Sequence, residues 1–207
     1  LYEFLAPEPN QLIVAVGDVS GKGVPAALYS VFAGEVVRNR TLRRRAAGDR
    51  TGPGQTLTSI NRILHERQLE EYYCTLCYAV FDLRHHTVTM ANSGLPYPIR
   101  CTADGASSEQ IELPGVPLGS FGTTAYDEIV VPANAGDVFV FCSDGISETF
   151  NERGHEFGSA RIAEVAREHR GKPAAEIVAK IFEAMSAFRG KAEQTDDQTA
   201  VVVRILA

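Results

Sequence analysis

The sequence predicts an α+β fold in which antiparallel sheets are flanked by helices. Two features of the chain support this prediction. Apolar periodicity indicates a strand, two helical stretches, a long β-rich middle, two more helical stretches and a final strand, in that order. This order lacks the regular strand–helix alternation of a doubly wound parallel sheet, so we expect antiparallel sheets with helices packed against them.

The first part of the chain is predicted to hold a buried strand and two helices. Residues 12–17 (LIVAVG) form a continuous apolar run, which indicates a strand buried on both faces. Pro25 suits a first helical turn, and residues 26–38 are mostly good helix formers. Gly and Pro predict a loop over residues 48–54, and apolar residues at helical spacing predict a second helix over residues 55–70.

The rest of the chain is predicted to hold the remaining strands and two amphipathic helices. The pair Asp104-Gly105 between apolar segments is a common hairpin signal. The stripe Ile177, Ile181 and Met185 indicates a helix with one buried face. The predicted strands cover residues 74–82, 88–91, 98–102, 111–113, 129–131, 138–141 and 199–206, and the predicted helices cover residues 159–170 and 173–188.

Composition and charge are those of an ordinary globular chain. It has 207 residues, of which 44% are hydrophobic and 22% charged, and its formal net charge is -6. This acidic balance leaves no electrostatic footprint for nucleic acid. No apolar run approaches the roughly 20 residues that cross a bilayer, so we expect neither nucleic acid nor a membrane as a partner of this segment. The basic run over residues 38–45 indicates the solvated end of a helix or, alternatively, a docking patch.

The four cysteines, Cys74, Cys77, Cys101 and Cys142, give no sign of a disulfide framework. Cys74 and Cys77 have the spacing of half a zinc site, but no second pair matches it, and a strand would place them on opposite faces. We therefore expect buried structural thiols and a reducing, cytoplasmic location. Because the chain starts at Leu1 rather than Met, we expect it to be a fragment of a longer protein.

Acidic residues stand at the ends of the apolar strands. Asp18 directly follows LIVAVG, Asp144 follows VFVFCS, and Asp196 and Asp197 precede TAVVVRI. If the last strand runs antiparallel to the other two, these carboxylates meet at one sheet edge, where they would repel one another. Mg²⁺ or Mn²⁺, which prefer oxygen ligands, would remove that repulsion. The alternative for any single Asp is a turn or a helix cap.

Glycines flank these acids and would allow the backbone to approach an ion or a phosphate closely: Gly17, Gly21, Gly23 and Gly145. Nucleotide-binding patterns are imperfect in the same stretch. Residues 17–22 are one residue short of a P-loop, and residues 21–26 match the dinucleotide pattern G-x-G-x-x-A without a regular βαβ unit after it.

Several segments, in order, resemble the successive motifs of one family. They are GDVSGKGVPAAL (17–28), ANSGLPYPI (91–99), LPGVPLGSF (113–121), SDGISETFN (143–151) and DDQTAVVV (196–203). Along essentially its whole length the chain is similar to the SpoIIE/RsbU-like branch of the PPM (protein phosphatase 2C) superfamily. This resemblance implies a four-layer αββα sandwich of two antiparallel sheets. Residues 1–207 would form one phosphatase domain that lacks its first strand and a preceding sensor or receiver domain.

The resemblance also implies a metal site. Two divalent cations, Mn²⁺ or Mg²⁺, would lie at one edge of the sandwich. Asp18 matches the bridging carboxylate, and the backbone carbonyl of Val19 matches its companion ligand. Asp144 and Asp196 match further ligands, with Asp197 beside them as an additional candidate. Asp18, Asp144 and Asp196 would therefore be the catalytic carboxylates.

The activity implied by the resemblance is that of a metal-dependent serine/threonine protein phosphatase. Its substrate would be a phosphorylated STAS-domain anti-anti-sigma factor, whose dephosphorylation releases a sigma factor by partner switching. Gly21, Lys22 and Gly23 are close enough in sequence to contribute amides or charge to the phosphate, although Lys22 equally fits a solvated loop. Two alternatives stay open, namely a phosphatase-like binding module without turnover and a nucleotide-binding enzyme.

The chain departs from the family pattern at two points. Another metal-binding Asp of the family lies in a Gly-Gly-Asp-like segment just before the equivalent of Leu1, outside the given sequence. Ser20 stands where eukaryotic members carry His, so no general acid is assigned. We further hypothesise that the helical stretches 25–45 and 55–70 form a switch through which a preceding domain controls the site, beyond covering one sheet face.

Overall fold

The computed structural model describes residues 1–46, 51–67 and 72–206 of the chain. It divides the chain into two compact units, Leu1–Leu95 with Leu113–Ala133 and Pro96–Glu112 with Asn134–Ala207. The strands are β1 (Tyr2–Glu8), β2 (Gln11–Val19), β3 (Cys74–Asp82), β4 (Thr87–Asn92), β5 (Ile99–Cys101), β6 (Ser108–Gln110), β7 (Ile129–Pro132), β8 (Val138–Cys142) and β9 (Ala200–Arg204). The helices are α1 (Gly23–Ala46), α2 (Pro53–Glu66), α3 (Asp144–Ser147), α4 (Gly158–His169) and α5 (Ala174–Arg189).

The first unit is built on a sheet with the strand order β1-β2-β3-β4-β7, all neighbours antiparallel. Leu57, Ile60 and Leu64 recur at helical spacing on α2 and are buried in one cluster with Ile13 of β2 and Leu76 of β3. Full burial of such a side chain contributes roughly 1.5–3 kcal/mol. The apolar stripe of α2 therefore fixes this helix on the sheet.

The second unit is built on a sheet with the strand order β6-β5-β8-β9, again antiparallel throughout. The predicted stripe of α5 is confirmed, because Ile177, Ile181 and Met185 are all buried. They share a cluster with Val138 and Val140 of β8. The apolar stripe of α5 thus packs this helix against one face of the sheet.

One strand was not predicted, and another was predicted at the wrong residues. The strand β1 was not predicted, because its side chains alternate between exposed and half-buried positions and it contains Pro7, as edge strands often do. The hairpin around Asp104-Gly105 is present, but its second strand covers Ser108–Gln110 instead of residues 111–113. Ile111 is held differently, by a hydrogen bond from its amide to the Pro98 carbonyl (2.7 Å).

Helix boundaries also differ from the prediction at several points. The helix α1 begins at Gly23 rather than at Pro25, and α2 begins at Pro53, inside the predicted loop 48–54. The loop residues 47–50 and the predicted helix end at residues 68–70 lie outside the described residues. The single-turn helix α3 was not predicted, since four residues carry no periodic signal.

The predicted fold class is confirmed: the chain is a mixed α+β protein with two antiparallel sheets and associated helices. The prediction for residues 74–82 matches β3 residue for residue. None of the helices in the described ranges combines the length and the apolar character needed to cross a bilayer.

Candidate active site

Two of the predicted acids meet at one edge of the second sheet. The strands β8 and β9 pair antiparallel up to Cys142 and Ala200, and the amide of Ser143 then donates to the Thr199 carbonyl (2.9 Å). The buried Ser143 hydroxyl accepts from the Thr199 amide (3.0 Å) and donates to the Asp197 carbonyl (3.1 Å). Asp144 follows this contact directly, and Asp196 immediately precedes it. The last strand therefore runs antiparallel to β8, which is the condition under which the sequence predicted that these two carboxylates meet.

Gly145 is the point where these two segments touch. A Cβ atom added to Gly145 would lie 2.1 Å from the Asp197 carbonyl oxygen and 3.4 Å from the Asp196 Cβ. Only glycine allows this approach, because real Cβ atoms are not found so close to a backbone oxygen. The close approach of the two segments that carry Asp144 and Asp196 thus depends on glycine at position 145.

Each of the two carboxylates uses one oxygen locally. The Gly145 amide donates to Oδ1 of Asp144 (2.9 Å), and the Asp197 amide donates to Oδ1 of Asp196 (2.9 Å). The Asp196 carbonyl accepts from Nε2 of Gln194 (2.8 Å), which orders the turn before β9. These bonds orient the carboxylates while leaving the second oxygen of each for another ligand.

Glu148 is an acid of this edge that the sequence analysis did not single out. Burial raises the pKa of its carboxyl, and the negative charges of Asp144, Glu156 and Asp196 raise it further. Glu148 lies one helical turn after Asp144, and its amide donates to the Asp144 carbonyl (2.7 Å). The spacing of four residues between the two acids is the signal that the sequence offered. The edge therefore concentrates negative charge, as a cation site requires.

Asp18 lies in the first unit, inside β2 and not after it. It stands opposite Thr75 in β3, whose hydroxyl donates to the Asp18 carbonyl (3.3 Å). Val19 is the last residue of the strand and stands opposite Cys74. The expectation that the strand ends before Asp18 was wrong, because backbone pairing continues for two residues beyond the apolar run. Its strand also belongs to a different sheet from β8 and β9.

The glycine-rich turn after β2 leads directly into the first turn of α1. Gly21 and Gly23 adopt positive φ angles of 89° and 81°, which only glycine adopts without strain. Ser20 is tied to Tyr73, with its amide donating to the Tyr73 carbonyl (3.0 Å) and its hydroxyl accepting from the Tyr73 amide (2.9 Å). Lys22 is exposed. The turn therefore presents backbone amides at a helix N-terminus, an arrangement that suits a phosphate.

The donor set at the two edges consists of carboxylate and carbonyl oxygens, which are the ligands of Mg²⁺ and Mn²⁺. Within residues 1–46, 51–67 and 72–206, no group of three or more His, Cys, Asp or Glu side chains is arranged to hold a metal ion. The chemistry of the residues fits a divalent cation. A site shared by Asp18, Asp144 and Asp196 stays a prediction.

The cysteines offer no nucleophile for an alternative, covalent chemistry. All four are free and buried. Burial raises the pKa of Cys77 and Cys142 to about 12, and it raises that of Cys74 to about 12 with a further contribution from Asp18. The thiolate is the reactive form of cysteine, and these three side chains do not reach it near neutral pH. The expectation of buried structural thiols is confirmed.

Comparison with known proteins gives a consistent result. The family model described as Stage II sporulation protein E (SpoIIE) matches residues 8–206. Phosphoserine phosphatase RsbU of Bacillus subtilis is 24% identical over 205 residues, which are 98% of this chain. The chain spans 58% of the length of that relative.

Solved structures share the fold at low sequence identity. The SiaA-PP2C domain of Pseudomonas aeruginosa has a TM-score of 0.84 at 23% identity and covers 99% of this chain and 79% of its own. The RsbU and RsbW domains of a Mycobacterium tuberculosis protein have a TM-score of 0.80 at 23% identity, covering 100% of this chain and 55% of their own. RsbX in complex with magnesium has a TM-score of 0.66 at 17% identity, covering 98% and 84%.

Proposed function

Since the chain belongs to the SpoIIE family, we propose that it is a serine/threonine protein phosphatase of the PP2C type that depends on divalent cations. The observation that carries this proposal is the junction between β8 and β9, where Ser143 and Gly145 hold Asp144 next to Asp196. The name of the RsbU relative and the magnesium complex of RsbX support the activity and the cation.

In this proposal Asp18, the Val19 carbonyl, Asp144 and Asp196 hold two Mn²⁺ or Mg²⁺ ions, with Asp197 as a further candidate. Such ions supply Lewis-acid stabilisation of the charge on a transferring phosphoryl group. The residues of the chain bind and orient these ions. The carboxylates of Asp144 and Asp196 are held in place by the backbone amides of Gly145 and Asp197, so they need not reorganise during the reaction.

The turn after β2 would bind the phosphoryl group itself. The backbone amides of Gly21, Lys22 and Gly23 precede and open α1, and the positive end of that helix attracts a phosphate. Lys22 adds a positive charge on an otherwise acidic chain. The nucleotide-binding alternative is disfavoured, because the strand before this turn has only antiparallel neighbours, whereas a dinucleotide fold needs a parallel βαβ unit.

We propose a phosphorylated STAS-domain anti-anti-sigma factor as the substrate, within a partner-switching pathway and with a sensor or receiver domain preceding the phosphatase. The RsbU relative and the structure that joins RsbU and RsbW domains support this context. Four free, buried thiols suit a reducing compartment such as the cytoplasm.

Hydrolysis assays with and without Mn²⁺ test the proposal, first on p-nitrophenyl phosphate and then on phosphorylated STAS proteins. A chain extended upstream is the right enzyme for them. Leu1 and Gly17 exchange backbone hydrogen bonds (2.8 and 2.9 Å), so a preceding residue would stand opposite Asp18. That is where the resemblance expects a further metal-binding Asp.

Asp144→Asn should reduce the Mn²⁺-dependent rate by about 100-fold or more while the protein stays folded, because the substitution removes a charged ligand and also relieves repulsion from Glu148. The exposed Asp127 provides the matched control, and Asp127→Asn should keep the wild-type rate. Near wild-type turnover of Asp144→Asn would contradict the mechanism. Binding of a phosphorylated STAS protein without hydrolysis would instead indicate a docking module.

A further inference from the structure

The loop formed by residues 113–124 takes the place of a strand at the Asp18 end of the first sheet. The pairing of β3 with β4 extends only from Asp82 to Cys77. Beyond it, Cys74 pairs with Leu118 through two hydrogen bonds, from the Cys74 amide (3.1 Å) and from the Leu118 amide (2.8 Å). On its other side Cys74 stands opposite Val19. The backbone at Leu118 is therefore two strand spacings, roughly 10 Å, from Val19.

A buried amide of α2 holds this 113–124 loop from beneath. Asn61 is completely buried; its Nδ2 donates to the Phe121 carbonyl (2.8 Å), and its Oδ1 accepts from the Gly119 amide (2.8 Å). His65, one turn later on α2, donates from Nδ1 to the Gly119 carbonyl (3.0 Å). The Tyr126 hydroxyl donates to the Val116 carbonyl (3.0 Å). Both ends of the loop tip are thus fixed to the core.

The same loop turns apolar side chains toward solvent. Phe121 is 64% exposed and Val116 is 38% exposed. Tyr73, which precedes Cys74 and is bound to Ser20, is 47% exposed. A single exposed apolar side chain needs no explanation. Here, however, an aromatic ring projects from a backbone that hydrogen bonds to the buried Asn61 side chain hold in one conformation, which is the preorganised form of an interface anchor.

We propose that Phe121, together with Val116 and Tyr73, is a docking contact for the phosphoprotein substrate, and that Asn61 is a positioning residue for it. This inference rests on the proposed phosphatase function. A standard protein interface covers about 800 Å² on each partner, which as a disc has a radius of about 16 Å. An interface of that size centred on Asp18 extends beyond the roughly 10 Å that separates Val19 from Leu118, so a partner bound there by its phosphoserine reaches the 113–124 loop. The matching partner is a folded protein with an apolar patch beside its phosphorylated residue, and a small phosphate ester does not reach the loop.

The test compares a protein substrate with a small one. Phe121→Ala should raise KM for a phosphorylated STAS-domain protein by about tenfold or more, the range of an aromatic interface anchor. Its kcat on that protein and its kcat/KM on p-nitrophenyl phosphate should stay within about twofold of wild type. Val130→Ala, which removes a 61% exposed side chain from β7 of the same unit, is the matched control and should change neither parameter.

Asn61→Ala should raise the same KM, and its effect should not add to that of Phe121→Ala, because both act on one contact. Additive effects would show that Asn61 does not work through Phe121. A parallel measurement is the Kd of the phosphoprotein for the Asp144→Asn enzyme with and without Phe121→Ala, where the second change should weaken binding about tenfold. This measurement decides the docking role even if the wild-type chain hydrolyses neither substrate, an outcome that would defeat only the proposed phosphatase function.

Three results would overturn the docking proposal. An unchanged KM and Kd in Phe121→Ala would show that Phe121 does not contact the phosphoprotein, while the proposed phosphatase function would be unaffected. An equal loss on p-nitrophenyl phosphate would show that Phe121 supports the catalytic edge or the fold instead of a protein partner. Dissociation of a dimer by Phe121→Ala, seen by sedimentation without any effect on KM, would assign the side chain to contact between copies of the chain.

Discussion

The acidic edges of the two sheets are built in different ways. In the first unit, Asp18 lies within β2 and is paired with Thr75 of β3, whose hydroxyl donates to the Asp18 carbonyl. In the second unit, Asp144 and Asp196 lie beyond the ends of β8 and β9, where the Ser143 hydroxyl and the Gly145 contact replace strand pairing. The first edge follows from an ordinary ladder, whereas the second depends on contact between the start of α3 and the segment before β9. We therefore expect the second edge to be the more sensitive to small additions of volume.

The largest effect is expected for Gly145→Ala. The new Cβ would lie 2.1 Å from the Asp197 carbonyl oxygen, and a backbone atom cannot move aside without displacing Asp196. We expect a loss of about 3 kcal/mol in the free energy of unfolding, measured by denaturant titration, and a fall of about 100-fold in Mn²⁺-dependent hydrolysis. Gly171→Ala in the same unit is the control, because open space surrounds that position. Equal stability and equal hydrolysis rates of Gly145→Ala and Gly171→Ala would show that the second edge does not depend on the Gly145 contact.

A smaller effect is expected for Gly17→Ala in the first unit. Its Cβ would lie 2.5 Å from the Thr75 carbonyl oxygen and 2.8 Å from Cδ1 of Leu76. The Leu76 methyl can rotate, and the regular ladder can spread the remaining displacement, so we expect a loss of about 1–2 kcal/mol in unfolding experiments.

Gly34→Ala provides the contrast within the same unit. Gly34 lies within α1 with open space around it, so alanine should stabilise the protein by up to about 1 kcal/mol. A Gly17→Ala protein that is less stable than Gly145→Ala would reverse the proposed order of the two edges.

The smallest effect concerns the charge of the second edge. Asp144→Asn removes one of the negative charges that raise the pKa of Glu148, so that pKa should move down toward its ordinary value. The folded-state pKa of Glu148 lies above its unfolded value, so the free energy of unfolding falls as the pH rises through the folded-state pKa. The Asp144→Asn protein should lose less stability over this pH range. Carboxyl chemical shifts followed by NMR against pH provide the measurement. Asp104→Asn is the control, and an unchanged Glu148 pKa in Asp144→Asn would contradict a shared electrostatic edge.

Much of the site could be predicted from local patterns. The acids Asp144 and Asp196 were singled out because each stands at the end of an apolar run, and they were expected to meet on the condition that β9 runs antiparallel to β8, which it does. Glu148 was missed although its spacing from Asp144 was visible, since a single exposed Glu on a helical turn is common. The role of Ser143 could not be predicted, because its hydroxyl bonds to Asp197 and Thr199, which are 54 and 56 residues away in the sequence.

The fold was predicted best where periodicity is strong. The strand β3 and the stripe of α5 follow from apolar side chains that repeat with the period of their element. The strand β1 was missed because its short, mixed segment YEFLAPE includes Pro7 and buries none of its side chains fully, so it lacks the apolar run of a buried strand. The strands β7 and β8 are neighbours in the sequence but belong to different sheets, and a turn at residues 133–137 carries no signal of that separation.

The sequence by itself determined which residue types stand at the strand ends, where the chain bends, and which faces of α2 and α5 are apolar, because these properties depend on neighbours within a few positions. The tertiary structure decided which of these features meet. Gly145 lies under the Asp197 carbonyl, and Asn61 lies under the tip of the 113–124 loop, 58 residues away from Gly119 in the sequence. Such contacts depend on the strand order that the core sets, because they join groups that lie more than 50 residues apart in the sequence.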